Sequence, residues 1–200
     1  DRITLAGSHH PVVWCMSFPQ SIRDDLVSFD NPSGSINNSD LELAGSVVHH
    51  DAIAHTFDVR ERTLANHADN TATVFWQRKG SVTSVSAPAN LLRIQALHQR
   101  YHRYVPRHDF LRGIHNLLAD EASRLTHLSD LQFLRYFNLK YPQNLPWRLW
   151  TPSKQMNCAV LSALHKQPYD SASVQVQTAQ PLTTGRDGEP FAPEWPSTPY

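Results

Sequence analysis

Three acidic side chains lie at the borders of predicted helices, and their types and positions suggest chemistry. Glu42 follows the polar run Asn37-Asn38-Ser39-Asp40, Asp69 ends a predicted strand, and Asp120 lies in the first turn of a later helix. Helices that pack on a sheet hold such side chains near the strand ends, where reactive groups gather in α/β folds. We therefore expect the three carboxylates to converge on one point.

Converging carboxylates repel one another unless divalent cations lie between them. Ligand sets made only of oxygen favour Mg²⁺ or Mn²⁺. Two such ions about 4 Å apart can activate a water molecule, hold a phosphate and stabilise a leaving oxygen. The sequence therefore predicts phosphodiester hydrolysis, with Glu42, Asp69 and Asp120 as metal ligands and catalytic residues for two ions.

Capping signals and apolar spacing predict the elements that position these acids. Ser39 and Glu42 fit a capping box at the start of one helix. The predicted elements are a strand over 11–16, a helix over 21–29, a helix over about 40–55, a strand over 59–68, a helix from Asn70 to Lys79, a helix from Pro88 to about Tyr104, a strand over 108–114, and helices after Asn116 and Ser129. This order predicts an α/β fold.

The length and composition favour one folded domain. The chain has 200 residues, of which 40% are hydrophobic, so it can build one core. We assign this domain to residues 1–150. Residues 151–200 hold seven of the 14 prolines, mixed with Ser, Thr and Gln. We expect a mostly disordered tail there, in which only residues 156–164 could form a helix.

Cysteine usage and hydropathy exclude several other classes of protein. Cys15 and Cys158 are far apart and lack CxxC spacing, which argues against a disulfide framework or a cysteine zinc site. No apolar run approaches the ~20 residues that a membrane-spanning helix needs. We therefore expect an intracellular protein without a membrane partner. Because the chain begins at Asp1 rather than at methionine, we also expect it to be a piece of a longer protein.

Positive charge is concentrated in the middle of the chain. Lysine plus arginine and aspartate plus glutamate both number 18, so the net charge indicates no polyanionic partner. No acidic residue occurs between Asp69 and Asp109, however, whereas this stretch contains Arg78, Lys79, Arg93, Arg100, Arg103 and Arg107. Such a basic region can neutralise phosphates. We therefore expect these side chains to contact nucleic acid.

Three segments resemble ribonuclease H domains. Residues 37–44 look like the segment that opens the first helix of that family, with Glu42 as a metal ligand. Ala68-Asp69-Asn70 looks like the next acid at a strand end. Residues 113–124 look like the closing motif, in which an asparagine, here Asn116, stands four residues before the last acid. The resemblance covers roughly residues 10–150 and is similar to the ribonuclease H-like regions of retroelement polyproteins, with the tyrosine-recombinase (DIRS) type as one candidate.

The resemblance implies a fold, a substrate and a partner. It implies a mixed sheet flanked by helices, cleavage of the RNA strand of RNA–DNA hybrids, and an upstream reverse transcriptase domain in the same polyprotein. On this basis Asn38, Asn70 and Asn116 are expected to contact nucleic acid. The family also uses an aspartate on its first strand, followed by a glycine-rich bend, and nothing here matches it well. We expect that strand to lie upstream of this N-terminally truncated piece.

Other interpretations of the same residues remain open. Glu42 could be only the capping partner of Ser39, Asp69 a helix cap and Asp120 a solvated first-turn acid. The basic residues could be the solvated face of an amphipathic helix. At the level of function, the alternatives are a catalytically inactive nucleic-acid-binding or structural module of a reverse transcriptase polyprotein, and a relative of transposases or integrases.

A pair of histidines has the spacing of zinc ligands. His98 and His102 stand four residues apart on a predicted helix. No third ligand is evident from the sequence. We therefore expect them to be surface histidines or to face nucleic acid.

Overall fold

Helices and short strands alternate through residues 10–83 and 86–167, the part of the chain that the computed structural model describes. These residues belong to one unit, residues 1–169. The elements are β1 (Val12–Val13), α1 (Gln20–Asp24), α2 (Asn38–Thr56), β2 (Arg62–Ala68), α3 (Thr71–Lys79), α4 (Ala87–His102), β3 (Tyr104–Phe110), α5 (Leu117–Arg124), α6 (Asp130–Lys140), β4 (Arg148–Leu149) and α7 (Lys154–Leu164). The predicted α/β class is confirmed.

The strands form two separate parallel pairs within the described residues. β2 pairs with β3 over their full length, and β1 pairs with β4. The expected mixed sheet is therefore replaced, in this part of the chain, by two small parallel ladders. In the β2–β3 pair the carboxyl ends of both strands meet at one edge, where the backbone N–H of Leu111 donates to the carbonyl of Ala68 (2.9 Å).

β3 begins four residues before the strand that was predicted over 108–114. The reason is Arg103, which takes a left-handed backbone conformation (φ 58°) and so ends α4 directly before the strand. Pro106, expected to terminate the helix, instead lies within β3. Within the described residues β3 pairs with β2 alone, so it is an edge strand. The missing N–H of Pro106 is tolerated in such a strand.

The elements near the amino-terminal end are shorter than predicted. The strand expected over 11–16 spans only β1, and the helix expected over 21–29 stops at Asp24. Beyond it the chain folds back, and the backbone N–H of Val27 donates to the carbonyl of Ile36 (2.8 Å). Gly34 allows this close approach, because a Cβ there would lie 2.6 Å from the backbone of Leu26.

Three helices build the main core. α2, α4 and α7 pack together through fully buried side chains, among them Leu43, Leu91 and Val160. α7 matches the only helix expected beyond residue 150, but it is an integral part of this core. The folded domain therefore extends past the boundary at residue 150 that the proline content suggested. Residues 168–200, the rest of the predicted tail, lie outside the described residues.

A second apolar cluster joins α5 and α6 to the β1–β4 pair. Phe133 and Phe137 of α6 are buried together with Val13 and Ala122. Glu121 links the two helices, because its carboxylate accepts hydrogen bonds from the side chains of Tyr136, Lys140 and Tyr141. These bonds hold the pKa of Glu121 at about 2. This cluster fixes the position of α5, which carries Asp120.

A buried polar network ties together the five elements around the β2–β3 pair. The hydroxyl oxygen of Ser46 accepts from the side-chain amides of Asn66 and Gln77, both at 2.8 Å. The amide of Gln77 also donates to Gln95 (2.7 Å), and Gln95 in turn lies 3.3 Å from the ring of His108. Because buried polar groups need partners, this network favours one arrangement of α2, β2, α3, α4 and β3.

None of the described helices is both long and apolar enough to cross a membrane.

Candidate metal and nucleic-acid site

The start of α2 leaves Glu42 free of any capping role. The capping box is formed by Asn37 and Asp40, not by Ser39 and Glu42 as expected. The side chain of Asn37 accepts from the backbone N–H of Asp40 (3.0 Å), and the carboxylate of Asp40 accepts from the backbone N–H of Asn37 (2.9 Å). The purely structural interpretation of Glu42 therefore does not apply.

Asn70 fixes the chain directly after Asp69. Its side-chain oxygen accepts from the backbone N–H of Thr73 (3.0 Å), and its amide donates to the hydroxyl of Ser39 (3.1 Å). The hydroxyl of Thr73 donates to the carbonyl of Ser39 (3.1 Å). These bonds join the first turns of α2 and α3. Asn70 was expected to contact nucleic acid, but its amide is already engaged in this junction.

Glu42 and Asp69 line the same cleft. The cleft has a volume of about 700 Å³ and is also lined by Asn38 and Asn116. The Glu42 residue is solvent-exposed, but desolvation of its carboxyl by the cleft raises the pKa, and the nearby negative charge of Asp69 raises it further. The fold therefore brings together two acids that are 27 residues apart in the sequence.

The connection from β3 to α5 passes beside Asp69. A Cβ built on Gly113 would lie 3.6 Å from a carboxylate oxygen of Asp69. From there the chain enters α5, and Asn116, directly before this helix, lines the cleft together with Ala119 and Ser123 of the helix. The closing segment of the predicted motif thus lies against the Glu42–Asp69 pair.

Asp120 does not join the other two acids directly. Its carboxylate accepts hydrogen bonds from Arg124 at 2.8 and 3.1 Å, and both side chains are largely exposed. Among the described residues, Glu42, Asp69 and Asp120 do not form a group in which each offers a ligand atom within 4.8 Å of the others. Because its helical neighbours Ala119 and Ser123 face the cleft, Asp120 lies at the margin of that face.

Several of the predicted nucleic-acid contacts are engaged within the protein. Arg78 donates to the carbonyl of His108 (2.7 Å) and to the carboxylate of Asp109 (3.0 Å). Arg107 donates to the same carboxylate (2.7 Å), and Arg103 pairs with Glu61. The two arginines around Asp109 hold the pKa of its carboxyl below the ordinary value.

The basic residues do not surround the cleft as one patch. Arg100 and Arg103 lie at the end of α4, beside the start of β3, whereas Asp69 follows the far end of the paired strand β2. Seven residues of strand span about 20 Å. Arg93 and Arg100 are exposed, and Lys79 lies over the ring of Phe75 (5.9 Å). Only Asn38 and Asn116 of the predicted nucleic-acid contacts line the cleft itself.

A second group of potential ligands was missed in the sequence. Asp51, His98 and His102 each offer a ligand atom, and these atoms lie within 4.8 Å of one another. The sequence showed no third ligand and suggested surface histidines, but the His98 side chain is only 8% exposed and lies beside Asp51. The spacing of His98 and His102 was visible, but Asp51 is 47 residues away and reaches them only because α2 packs on α4.

No family model matches this chain, and neither the comparison with curated proteins nor the comparison with solved structures gave a match. The resemblance to ribonuclease H domains accordingly depends on the residues of the chain alone.

Proposed function

We propose that this chain is a ribonuclease H-like domain of a retroelement polyprotein, and that it hydrolyses the RNA strand of RNA–DNA hybrids with the help of two Mg²⁺ or Mn²⁺ ions. One observation carries the proposal: Glu42 and Asp69, from two different elements, line one cleft, where desolvation and the charge of Asp69 raise the pKa of Glu42. Neither carboxylate caps a helix in the described structure. Both are therefore available to bind a positively charged group.

The donor set fits a hard divalent cation. Two neighbouring carboxylates are stabilised when a cation lies between them, and oxygen ligands select Mg²⁺ or Mn²⁺. Glu42 and Asp69 would hold the metal, and Asp120 would join them after leaving Arg124. Such ions supply an activated water and stabilise the leaving oxygen.

Side chains of the cleft would position the substrate. Asn38 and Asn116 line the cleft beside the acids and carry amides that can hydrogen-bond to sugar or phosphate oxygens. The exposed side chains of Arg93 and Arg100 lie farther away and would contact the phosphates of a longer duplex. A hybrid would be distinguished from DNA by its 2′-hydroxyl groups.

A second candidate function is favoured by the ion pair between Asp120 and Arg124. If this pair persists in the presence of metal, the cleft has only two of the acids that the resemblance implies. The domain would then be an inactive module that binds nucleic acid or supports a neighbouring reverse transcriptase.

The test is cleavage of a hybrid with a labelled RNA strand by an extended chain, in which the first strand and aspartate that the resemblance implies are placed ahead of Asp1. We expect RNA cleavage in Mg²⁺ or Mn²⁺, with 5′-phosphate and 3′-hydroxyl ends. Glu42→Gln and Asp69→Asn should each reduce the rate by at least about 100-fold, the scale on which loss of one transition-state contact acts. Asp30→Asn, a change of an exposed acid outside the cleft, is the matched control.

Three other outcomes would contradict the proposal. An inert extended chain that still shifts the hybrid in a gel containing EDTA would identify the inactive module. Activity on DNA ends instead of hybrids would indicate a relative of transposases or integrases. Cleavage that survives Glu42→Gln would place the chemistry elsewhere.

A further inference from the structure

Two neighbouring core helices bring an aspartate and two histidines together away from the cleft. Asp51 is on α2, and His98 and His102 lie one turn apart on α4. One ligand atom from each lies within 4.8 Å of the other two. Asp51 follows Glu42 by nine residues, which corresponds to about 14 Å along a helix axis. This group is therefore separate from the Glu42–Asp69 pair.

One carboxylate oxygen of Asp51 is buried without a partner. The side chain of Asp51 is 4% exposed, and its Oδ1 atom lies 3.1 Å from both His98 Nε2 and His55 Nδ1. The Oδ2 atom is buried and makes no hydrogen bond within the described residues. A buried carboxylate oxygen without a donor is costly. A cation bound to this carboxylate would offset part of that cost.

The spacing of the donor atoms suits a small tetrahedral cation. Atoms bound at about 2.0–2.2 Å to a tetrahedral Zn²⁺ lie about 3.3 Å apart. The 3.1 Å separation of His98 Nε2 and Asp51 Oδ1 is close to this value. Replacing the proton between these two atoms by a metal ion would thus require little movement. His102 then needs only a change of side-chain rotamer, because its ring centroid is 4.2 Å from that of His98.

A neighbouring tyrosine orients the first histidine. His98 Nδ1 lies 2.9 Å from the hydroxyl of Tyr104, which is itself buried. When Nδ1 carries the proton and donates to this hydroxyl, Nε2 presents its lone pair toward Asp51. Metal-bound histidines commonly make this second hydrogen bond.

We propose that Asp51, His98 and His102 form a binding site for Zn²⁺ that links α2 to α4. Two imidazoles and one carboxylate suit Zn²⁺ and related transition metals, whereas Mg²⁺ prefers a set of oxygen ligands. A water molecule would be the fourth ligand, because the Nδ1 atom of His55 beside Asp51 lies 2.9 Å from the backbone carbonyl oxygen of Asp51 and is engaged there. Because the ligands come from two helices of the main core, bound Zn²⁺ stabilises the fold.

The test uses Co²⁺ as a spectroscopic probe and Zn²⁺ as its competitor. The purified chain is treated with EDTA, dialysed and titrated with Co²⁺. We expect one equivalent to bind, with the strong visible absorption of four-coordinate Co²⁺, and one equivalent of Zn²⁺ to displace it. Zn²⁺ should also raise the Tm, and EDTA should reverse this rise.

Matched histidine variants locate the binding site. His102→Ala should weaken Co²⁺ binding at least tenfold and abolish the Tm rise. Because His102 is only half-buried, the variant should still fold, which circular dichroism checks. His127→Ala, a change of an exposed histidine on another part of the chain, should leave both unchanged. Absence of stoichiometric binding, or binding that His102→Ala does not weaken, would overturn the proposal and leave Asp51, His98 and Tyr104 as a hydrogen-bond network only.

Discussion

At the scale of single residues, the central feature is the electrostatic environment of Glu42. Desolvation in the cleft raises the pKa of its carboxyl, and the negative charge of Asp69 raises it further. A fold that keeps two acids in this position without using either as a cap retains an unfavourable interaction that a cation relieves. The pKa of Glu42 beside Asp69 can be measured independently of any catalytic assay.

The first prediction concerns the pKa of Glu42. Asp69→Asn removes a negative charge beside Glu42, so the Glu42 pKa should fall toward its ordinary value of 4.5 and stay above it because burial persists. The measurement is an NMR titration of the side-chain carboxyl carbon in EDTA. Asp109→Asn, outside the cleft, should leave the Glu42 pKa unchanged. An unchanged pKa in Asp69→Asn would show that the two carboxylates do not interact.

The second prediction concerns the ion pair of Asp120. Arg124→Gln removes the cation that competes with a metal for the Asp120 carboxylate. In the extended chain we expect hybrid cleavage to reach half its maximum at a Mg²⁺ concentration lower by roughly two- to threefold, as befits a weak exposed ion pair. Arg135→Gln, on α6, serves as the control. A higher Mg²⁺ requirement in Arg124→Gln would assign Arg124 to substrate binding instead.

The residues of the site were predictable only in part. Glu42 and Asp69 could be selected from the sequence as candidate metal ligands, because each stands beside a helix start with strong capping residues. Asp120 was placed in the correct helix, but its pairing with Arg124 depends on side-chain geometry that spacing does not determine. The contact of Asp51 with His98 could not be predicted, because it requires the packing of α2 on α4.

At the scale of the elements, the buried polar network around Ser46 holds the β2–β3 pair against three helices. The Ser46 hydroxyl is the acceptor for two side-chain amides from different elements. Because an unpaired buried donor costs more than a normal hydrogen bond contributes, removal of this single oxygen should affect α2, β2 and α3 together.

The third prediction tests this network. Ser46→Ala leaves the amides of Asn66 and Gln77 without their shared acceptor, so the free energy of unfolding should fall by about 1–3 kcal/mol. Urea denaturation followed by circular dichroism gives the value. Ser81→Ala, at an exposed position after α3, is the matched control. Equal stabilities of the two variants would mean that the network contributes little.

The elements with clear end signals were predicted best. α3 has the Asn70 cap at its start and Gly80 in a left-handed conformation at its end, and both were visible in the sequence. β3 was misplaced because a left-handed Arg103 gives no comparable sequence signal, since this conformation is unusual outside glycine. β4 was not predicted, because two residues of strand form only through pairing with β1.

At the scale of the whole molecule, α7 completes the main core although its sequence neighbourhood is rich in proline. Met156, Val160 and Leu164 are buried against α2 and α4. Burial of side chains of this size contributes about 1.5–3 kcal/mol each. Their sum, about 5–9 kcal/mol, is comparable to the net stability of a typical domain.

The fourth prediction follows from this contribution. A chain that ends at Trp150 should lose cooperative unfolding and expose its apolar core, because α7 is missing. A chain that ends at Gln167 retains α7 and should unfold cooperatively. Thermal unfolding by circular dichroism and binding of a hydrophobic dye compare the two. Cooperative unfolding of the shorter chain would show that α7 is dispensable.

The most direct test of the account is the position of a metal ion at the cleft. A crystal of the chain grown with Mn²⁺ gives an anomalous difference map that locates the ion without any assay. We predict a peak about 2 Å from carboxylate oxygens of both Glu42 and Asp69, and its loss in Glu42→Gln. A map with Mn²⁺ bound elsewhere, and none between these two carboxylates, would contradict the claim that they share a cation.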